Sequence, residues 1–342
     1  MNILIVKTSS LGDVIHALPA VTEAVLINPT LHVTWVVEES FAEIPRLHPG
    51  VDRVLPVAIR RWRRSWLQSR HEIRAFVSQL RDTKYDLVID SQGLIKSSFL
   101  SSLSRGVVHG FDRSSSREAL SAIFYDAGHR VSKRLHAVQR QKRLFAACLG
   151  YQFDETVDYG LTGIRDKDER KVFFLHGTTW SSKEWPVSAW QSLASLVNGA
   201  GYEVLVPAGN PAEKAVAESI VKGNRGRVLD RLPLAELATE LSASTGVVSV
   251  DTGLGHLATA LGIPLVGIFG ATDPSLTAMS GGPIEIIVSD HLPCIPCKKR
   301  ACQFPKPLDS SSIYPPCLEQ TTPEKVWQAL QLQIGTKDTR PG

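Results

Sequence analysis

The 342-residue chain has no apolar run approaching the roughly 20 residues that a membrane-spanning helix needs. Nor does it open on a basic segment followed by a long apolar core, the form of a secretory signal. These two absences argue against insertion and secretion, and the chain is expected to fold in the cytoplasm. Charge of one sign is not in large excess either. The 38 basic and 34 acidic residues leave +4, too little by itself to suggest nucleic acid. Low-complexity tracts and short-period repeats are absent, which leaves an ordinary globular protein. Cysteine is scarce, with five residues. In a reducing compartment these stay thiols or bind metal rather than pair as disulfides.

What is present is alternation. The length suits two domains of roughly 150 to 170 residues. Apolar runs at 2–6, 32–37, 51–57, 85–90 and 107–111 read as strands, most of them followed by a helical pattern. A charged, weakly periodic connector at 158–171 interrupts the series. The alternation then restarts with strands at 172–175, 202–206, 226–229, 246–250 and 264–269. The expectation is α/β: two doubly wound parallel sheets, in domains 1–160 and 161–342, with a cleft between their strand ends that closes on ligands. A loop rich in Cys and Pro at 290–318 and a final helix at 322–334 complete the second domain.

Val6-Lys7-Thr8-Ser9-Ser10-Leu11-Gly12-Asp13-Val14-Ile15-His16 parses as strand, tight turn, helix. Asp13 at the helix N-terminus is held ionised by the dipole, where α/β folds place ligands. It is either a catalytic base or, with Ser10, a plain helix cap. In the second half, His176-Gly177-Thr178-Thr179-Trp180 leads through Ser181, Ser182 and Lys183 into a helix, a composition that can bind phosphate. Ser249-Val250-Asp251-Thr252-Gly253-Leu254-Gly255-His256-Leu257-Ala258 formally satisfies G-x-G-x-x-A, with Asp273 twenty residues after Gly253. A nicotinamide dehydrogenase therefore competes, although the loop follows a late strand of its domain. Arg60, Arg61, Arg63 and Arg64, continued by Arg70 and Arg74, lie beside Trp62 and Trp66. That segment is a solvated face or binds an anion, whether phosphate, membrane or nucleic acid, and a non-catalytic anion-binding module is the second rival. Cys294 and Cys297 form a C-x2-C, followed by Cys302 and Cys317, a candidate structural Zn²⁺ set. Asp166-Lys167-Asp168 spells a D-x-D but falls in the connector and is discounted.

Taken together, these stretches resemble the lipopolysaccharide heptosyltransferases of glycosyltransferase family 9. The resemblance rests on the opening through Pro19, Trp35-Val36-Val37-Glu38-Glu39, Ile59-Arg60-Arg61-Trp62-Arg63, Asp90-Ser91-Gln92-Gly93-Leu94-Ile95-Lys96-Ser97, His136-Ala137-Val138, Lys183-Glu184-Trp185-Pro186 and Val250 through Leu257. Lys7-Thr8-Ser9-Ser10 is the form of the type I branch rather than type II. The resemblance implies a GT-B fold and inverting, metal-independent transfer of L-glycero-D-manno-heptose from ADP-heptose to the first Kdo of Kdo2-lipid A. It further implies work at the cytoplasmic face of the inner membrane, and no nucleic acid. Asp13 would be the base. Thr178, Thr179 and Lys183 would hold the diphosphate, Glu213 the ribose and Asp251 the heptose, with Thr252, Gly253 and His256 around them. Ser10, Gly12, Lys96 and Arg117 would line the acceptor sugar, and Arg60, Arg61, Arg63 and Arg64 would meet lipid A phosphates. The cysteine loop departs from the pattern associated with type I members.

Overall fold

The computed structural model describes residues 1–161, 170–289, 291–305 and 313–337; Asp166-Lys167-Asp168 and part of the Cys/Pro loop lie outside them. The chain divides into two compact units, Met1–Leu161 and Thr162–Gly342. The first holds six strands: β1 (Asn2–Val6), β2 (His32–Glu38), β3 (Arg53–Val57), β4 (Lys84–Asp90), β5 (Arg105–Phe111) and β6 (Ala127–His129). Their order is β3-β2-β1-β4-β5-β6, parallel throughout. In the second unit β7 (Lys171–Leu175), β8 (Glu203–Pro207), β9 (Gly226–Leu229), β10 (Gly246–Val250), β11 (Leu265–Phe269) and β12 (Ile284–Val288) follow the order β12-β11-β10-β7-β8-β9.

Each unit is thus a 3-2-1-4-5-6 sheet of Rossmann type. Its strand order reverses between the first and fourth strands, where such sheets bind ligands at their carboxyl ends. The sequence cause is visible in the central strands. Ile3, Leu4, Ile5 and Val6 are all buried, as is every residue of β10, because crossover helices cover both sheet faces. In the second unit Trp190 stacks near Phe174 and Trp185, with ring centres 5.0 and 4.9 Å apart. The final helix, Pro323–Lys337, adds Val326, Trp327 and Leu330 to that core.

Three details differ from the sequence reading. The first helix is two, Leu11–Ile15 and Leu18–Ile27, because Pro19 falls in the first turn of the second. The last helix runs to Lys337 rather than 334. Each sheet also gains an edge strand, β6 and β12, where the sequence reading placed none.

Candidate active site

At the switch point of the first unit the turn after β1 meets the turn after β4. Lys7, Thr8 and Ser9 are buried there, and the Ser9–Ser10 peptide is cis. Gln92 ties the two turns together. Its Oε1 accepts from the Thr8 amide (2.7 Å), the Thr8 hydroxyl (2.9 Å) and the Ser9 amide (3.2 Å), while its Nε2 donates to the Ser9 carbonyl. Asp90, fully buried at the end of β4, accepts from the Gln92 amide, the Ser97 hydroxyl and the Tyr125 phenol at 2.8 to 2.9 Å. Burial raises its pKa. Gly93 has φ +70, and a Cβ there would lie 3.3 Å from the Arg117 amide. The glycine lets the 112–118 loop fold over the β1 turn.

That loop brings Arg117 to Asp13. One carboxylate oxygen, Oδ2, accepts from the Ser10 amide and hydroxyl, both at 3.0 Å. The other, Oδ1, receives Arg117 Nη2 at 3.2 Å. Asp13 is therefore a helix cap through one oxygen and a tethered carboxylate through the other. Burial acts to raise its pKa, but the Lys7 ammonium, the Arg117 guanidinium, the Ser10 amide and His16 outweigh it and hold the group well below the usual carboxylate range. Lys7 donates to the Ser91 carbonyl at 2.9 Å, and burial pulls its ammonium down to about 8 against the opposing charge of Asp13.

Of the acceptor candidates, Ser10, Gly12 and Arg117 adjoin Asp13, and Lys96 reaches the Ser9 hydroxyl at 3.5 Å. The arginine cluster is divided. Arg61 is held by Glu39 (3.1 and 3.3 Å) and Glu72 (2.8 and 3.0 Å). The Arg60 guanidinium lies 5.7 Å from the Phe41 ring. Arg63 and Arg64 are exposed and make no ion pair among the described residues.

In the second unit the turns after β7, β8 and β10 carry the donor candidates. Asn210 caps the helix Pro211–Val221 by accepting from the Glu213 amide at 3.0 Å. The Glu213 carboxylate accepts from the Gly209 amide at 2.7 Å, and a Cβ on Gly177 would stand 3.2 Å from its carboxyl carbon. Two glycines thus leave Glu213 at the ends of β7 and β8. Thr178 Oγ1 accepts from the Trp180 amide at 3.3 Å, while Thr179 is exposed. Lys183 crosses the Trp180 ring at 4.5 Å and donates to Asp251 at 2.6 Å. Thr272 donates to the same Asp251 oxygen at 2.6 Å, and His256 Nε2 stands 3.9 Å from the other. Burial would raise the Asp251 pKa; His256, Lys183 and Thr272 together drive it well below the usual range. Thr252 precedes the helix Gly253–Ala260, whose first amides carry the positive end of its dipole.

Gly255 bears on the dehydrogenase alternative. A Cβ there would meet Met279 Cε at 2.2 Å and Ser249 Oγ at 2.5 Å. The second glycine of G-x-G-x-x-A thus has a packing reason of its own, the close contact of the helix with β10. Asp273 caps the helix Pro274–Thr277 through the Ser275 amide. Sequence reasoning gave no role to Lys7, Gln92 or Thr272. Lys7 and Gln92 lie inside the recognised stretches, but Thr272 carries no local signal because its partner is 21 residues away.

The four candidate zinc ligands are all free thiols. Cys294, Cys297, Cys302 and Cys317 line one cavity together with Gly270 and Ala271. Burial pushes the Cys317 thiol up to about 11, with the charges of the other three adding to it.

The family model for glycosyltransferase family 9 (heptosyltransferase) matches residues 73–307. Lipopolysaccharide heptosyltransferase 1 of Pseudomonas aeruginosa is 42% identical, covering 99% of both chains. The Escherichia coli K12 protein of the same name is 43% identical over 81% of this chain and 90% of its own. Among solved structures, E. coli heptosyltransferase WaaC with ADP matches with a TM-score of 0.84 at 38% identity, over 97% of this chain and all of that one. WaaC with ADP-2-deoxy-2-fluoro heptose matches at 0.78 and 41%, over 85% and 94%.

Proposed function

Because the chain belongs to glycosyltransferase family 9, the heptosyltransferases, we propose that it moves L-glycero-D-manno-heptose from ADP-heptose to the first Kdo of Kdo2-lipid A. It is a heptosyl-transferring enzyme with two Rossmann-like units of the GT-B class. The observation that carries the mechanism is the Asp13 carboxylate, kept ionised by Lys7 and shared between a helix cap and a half-exposed Arg117.

The acceptor hydroxyl gives its proton to Asp13 Oδ1 as its oxygen attacks the anomeric carbon. The bond from that carbon to the β-phosphate oxygen breaks, and its electron pair leaves with ADP. One displacement inverts the centre. Lys183, the Thr178 and Thr179 hydroxyls and the first amides of the helix after Thr252 receive the growing phosphate charge without a metal ion. Glu213 takes the ribose hydroxyls, and Asp251 and His256 the heptose. Arg117, released from Asp13, takes an anionic group of the acceptor, and Ser10, Gly12 and Lys96 line the sugar.

The first unit binds the acceptor and the second the donor. The enzyme works at the cytoplasmic face of the inner membrane. Among the described residues no helix is long and apolar enough to cross a membrane. Surface attachment is supported by the exposed Ile95, Phe99, Leu120 and Ile123 around Lys96 and Arg117, and by Trp66 and Leu67 beside the arginines.

The test is mass analysis of Kdo2-lipid A after incubation with ADP-heptose and the protein, without added magnesium. A single added heptose is expected, and Asp13→Asn should lose about 10² to 10⁴ in turnover while ADP-heptose still binds. Unmodified Kdo2-lipid A alongside intact donor binding would reject the acceptor. Near wild-type turnover in Asp13→Asn would reject the base.

A further inference from the structure

We propose that Cys294, Cys297, Cys302 and Cys317 bind one thiolate-seeking metal ion, Zn²⁺ or Fe²⁺, and that this ion fixes the loop presenting Lys183 to the donor. Four of the chain's five cysteines fall within 24 residues and wall a single cavity. Two of them lie against adjacent residues after β11, Cys317 against Gly270 and Cys297 against Ala271. Cys317 Sγ lies 2.9 Å from where a Gly270 Cβ would stand, so glycine is needed there, and Cys297 Sγ is 4.0 Å from the Ala271 carbonyl. The C-x2-C turn closes at Lys298, whose φ of +55 is left-handed and whose amide donates to Ala271 at 2.7 Å.

No helix or strand covers residues 291–305, so no helical or sheet ladder holds this stretch. Soft thiolates select zinc or iron over hard cations. Sulfurs around zinc at about 2.3 Å stand less than about 4 Å apart. Here no three of the four lie within 4.8 Å of one another, as His109, His129 and Cys148 do, so binding draws the loop inward. The four thiols lose their protons on binding, and the double negative charge left on the site has Lys298, Lys299 and Arg300 directly after it in sequence.

The loop grips the donor residues from two sides. The Lys299 carbonyl accepts from the Ser182 hydroxyl. The Arg300 carbonyl accepts from the Ser182 amide at 3.2 Å and the Ser181 hydroxyl at 3.4 Å. These contacts fix the turn Ser181–Lys183. On the other side Lys298 pairs with Asp273 at 3.4 Å, next to Thr272, which holds Asp251. The ion is therefore a positioning device, remote from the reacting atoms. This positioning role rests on reading 178–183 as the donor phosphate loop; the metal site does not.

Elemental analysis of full-length protein, purified in reductant without chelator, should find one ion per chain, and the same measurement separates zinc from iron. Cys294→Ser with Cys297→Ser should drop occupancy below about a tenth and weaken ADP binding several-fold by calorimetry, whereas Cys148→Ser should keep the ion. If the double variant does not fold, stripping the wild-type protein with chelator and restoring the metal should weaken and then recover ADP affinity. Protein that stays empty after supply of Zn²⁺ and of Fe²⁺ would overturn the site, as would full occupancy in the double variant. A lost ion with unchanged ADP affinity would overturn the positioning role. Neither readout requires sugar transfer, so failure of the heptosyl reading is seen separately.

Discussion

Asp13 has two oxygens with different duties, and that division makes its protonation testable. A carboxylate whose pKa is depressed in the folded state stays ionised as pH falls through the ordinary aspartate value of about 3.9. Its contribution to stability is present above that value and is lost only as pH drops through the lower, folded one. The acid limb of kcat/KM should therefore lie below that of an unperturbed aspartate. Lys7 is the largest attractive charge and Arg117 the next. Arg117→Ala should move the limb upward and Lys7→Met should move it further. The ¹³C titration of the Asp13 carboxyl gives the same ordering at equilibrium. If Arg117→Ala shifted it more than Lys7→Met, the assigned electrostatics would be wrong. The residue type, its strand-end position and the capping alternative were readable from Ser10-Leu11-Gly12-Asp13. Its two cations were not, because Arg117 is 104 residues away and the Lys7 charge acts from a buried ammonium tied to the Ser91 carbonyl after another strand.

Among elements, the helix Gly253–Ala260 separates two chemistries that share one spelling. In a dinucleotide site the second glycine faces the pyrophosphate, so alanine there would block the ligand and spare the fold. Here the missing Cβ is required by Ser249, a β10 side chain, and by buried Met279. Gly255→Ala should cost about 1 to 3 kcal/mol of stability by overpacking. For a unit of this size that lowers Tm by about 2 to 4 °C per kcal/mol, with ADP affinity falling only as the helix shifts. An unchanged Tm with abolished nucleotide binding would mean that the missing Cβ faces the nucleotide rather than β10. The same scale shows where sequence pattern suffices. The central strands are apolar on both faces and stand out, whereas β6 has three residues, and β12 follows Gly281-Gly282-Pro283 and mixes Glu285 into its run. Edge strands need bury only one side, so their periodicity is weak. The split of the first helix was encoded in Pro19 but masked by continuous apolar residues around it.

Across the whole molecule the modest charge is unevenly placed: residues 1–161 carry 21 basic and 16 acidic side chains, and 162–342 carry 17 and 18. All of the positive excess belongs to the unit proposed to take an anionic lipid. At the carboxyl edge of its sheet, the segment after β3 exposes Arg60, Arg63, Arg64, Trp66 and Leu67, and the segments after β4 and β5 expose Phe99 and Ile123 near Lys96 and Arg117. Arg61 offers that surface less charge, since it is paired with Glu39 and Glu72. Each basic residue close to an anionic bilayer contributes about 1 kcal/mol. Replacing Arg60, Arg63 and Arg64 by Gln should therefore weaken partition onto phosphatidylglycerol vesicles by about two orders of magnitude at low salt, and Arg61→Gln alone should do much less. Phe99→Ser with Ile123→Ser should weaken it further and independently of salt, because the apolar contribution is not screened. Flotation of the variants with such vesicles at two salt concentrations separates these contributions. Equal loss from Arg61→Gln would mean that the cluster acts by supporting the fold around Glu39 and Glu72. Undiminished flotation of the triple variant would remove the membrane from this edge and leave the arginines to the acceptor headgroup alone.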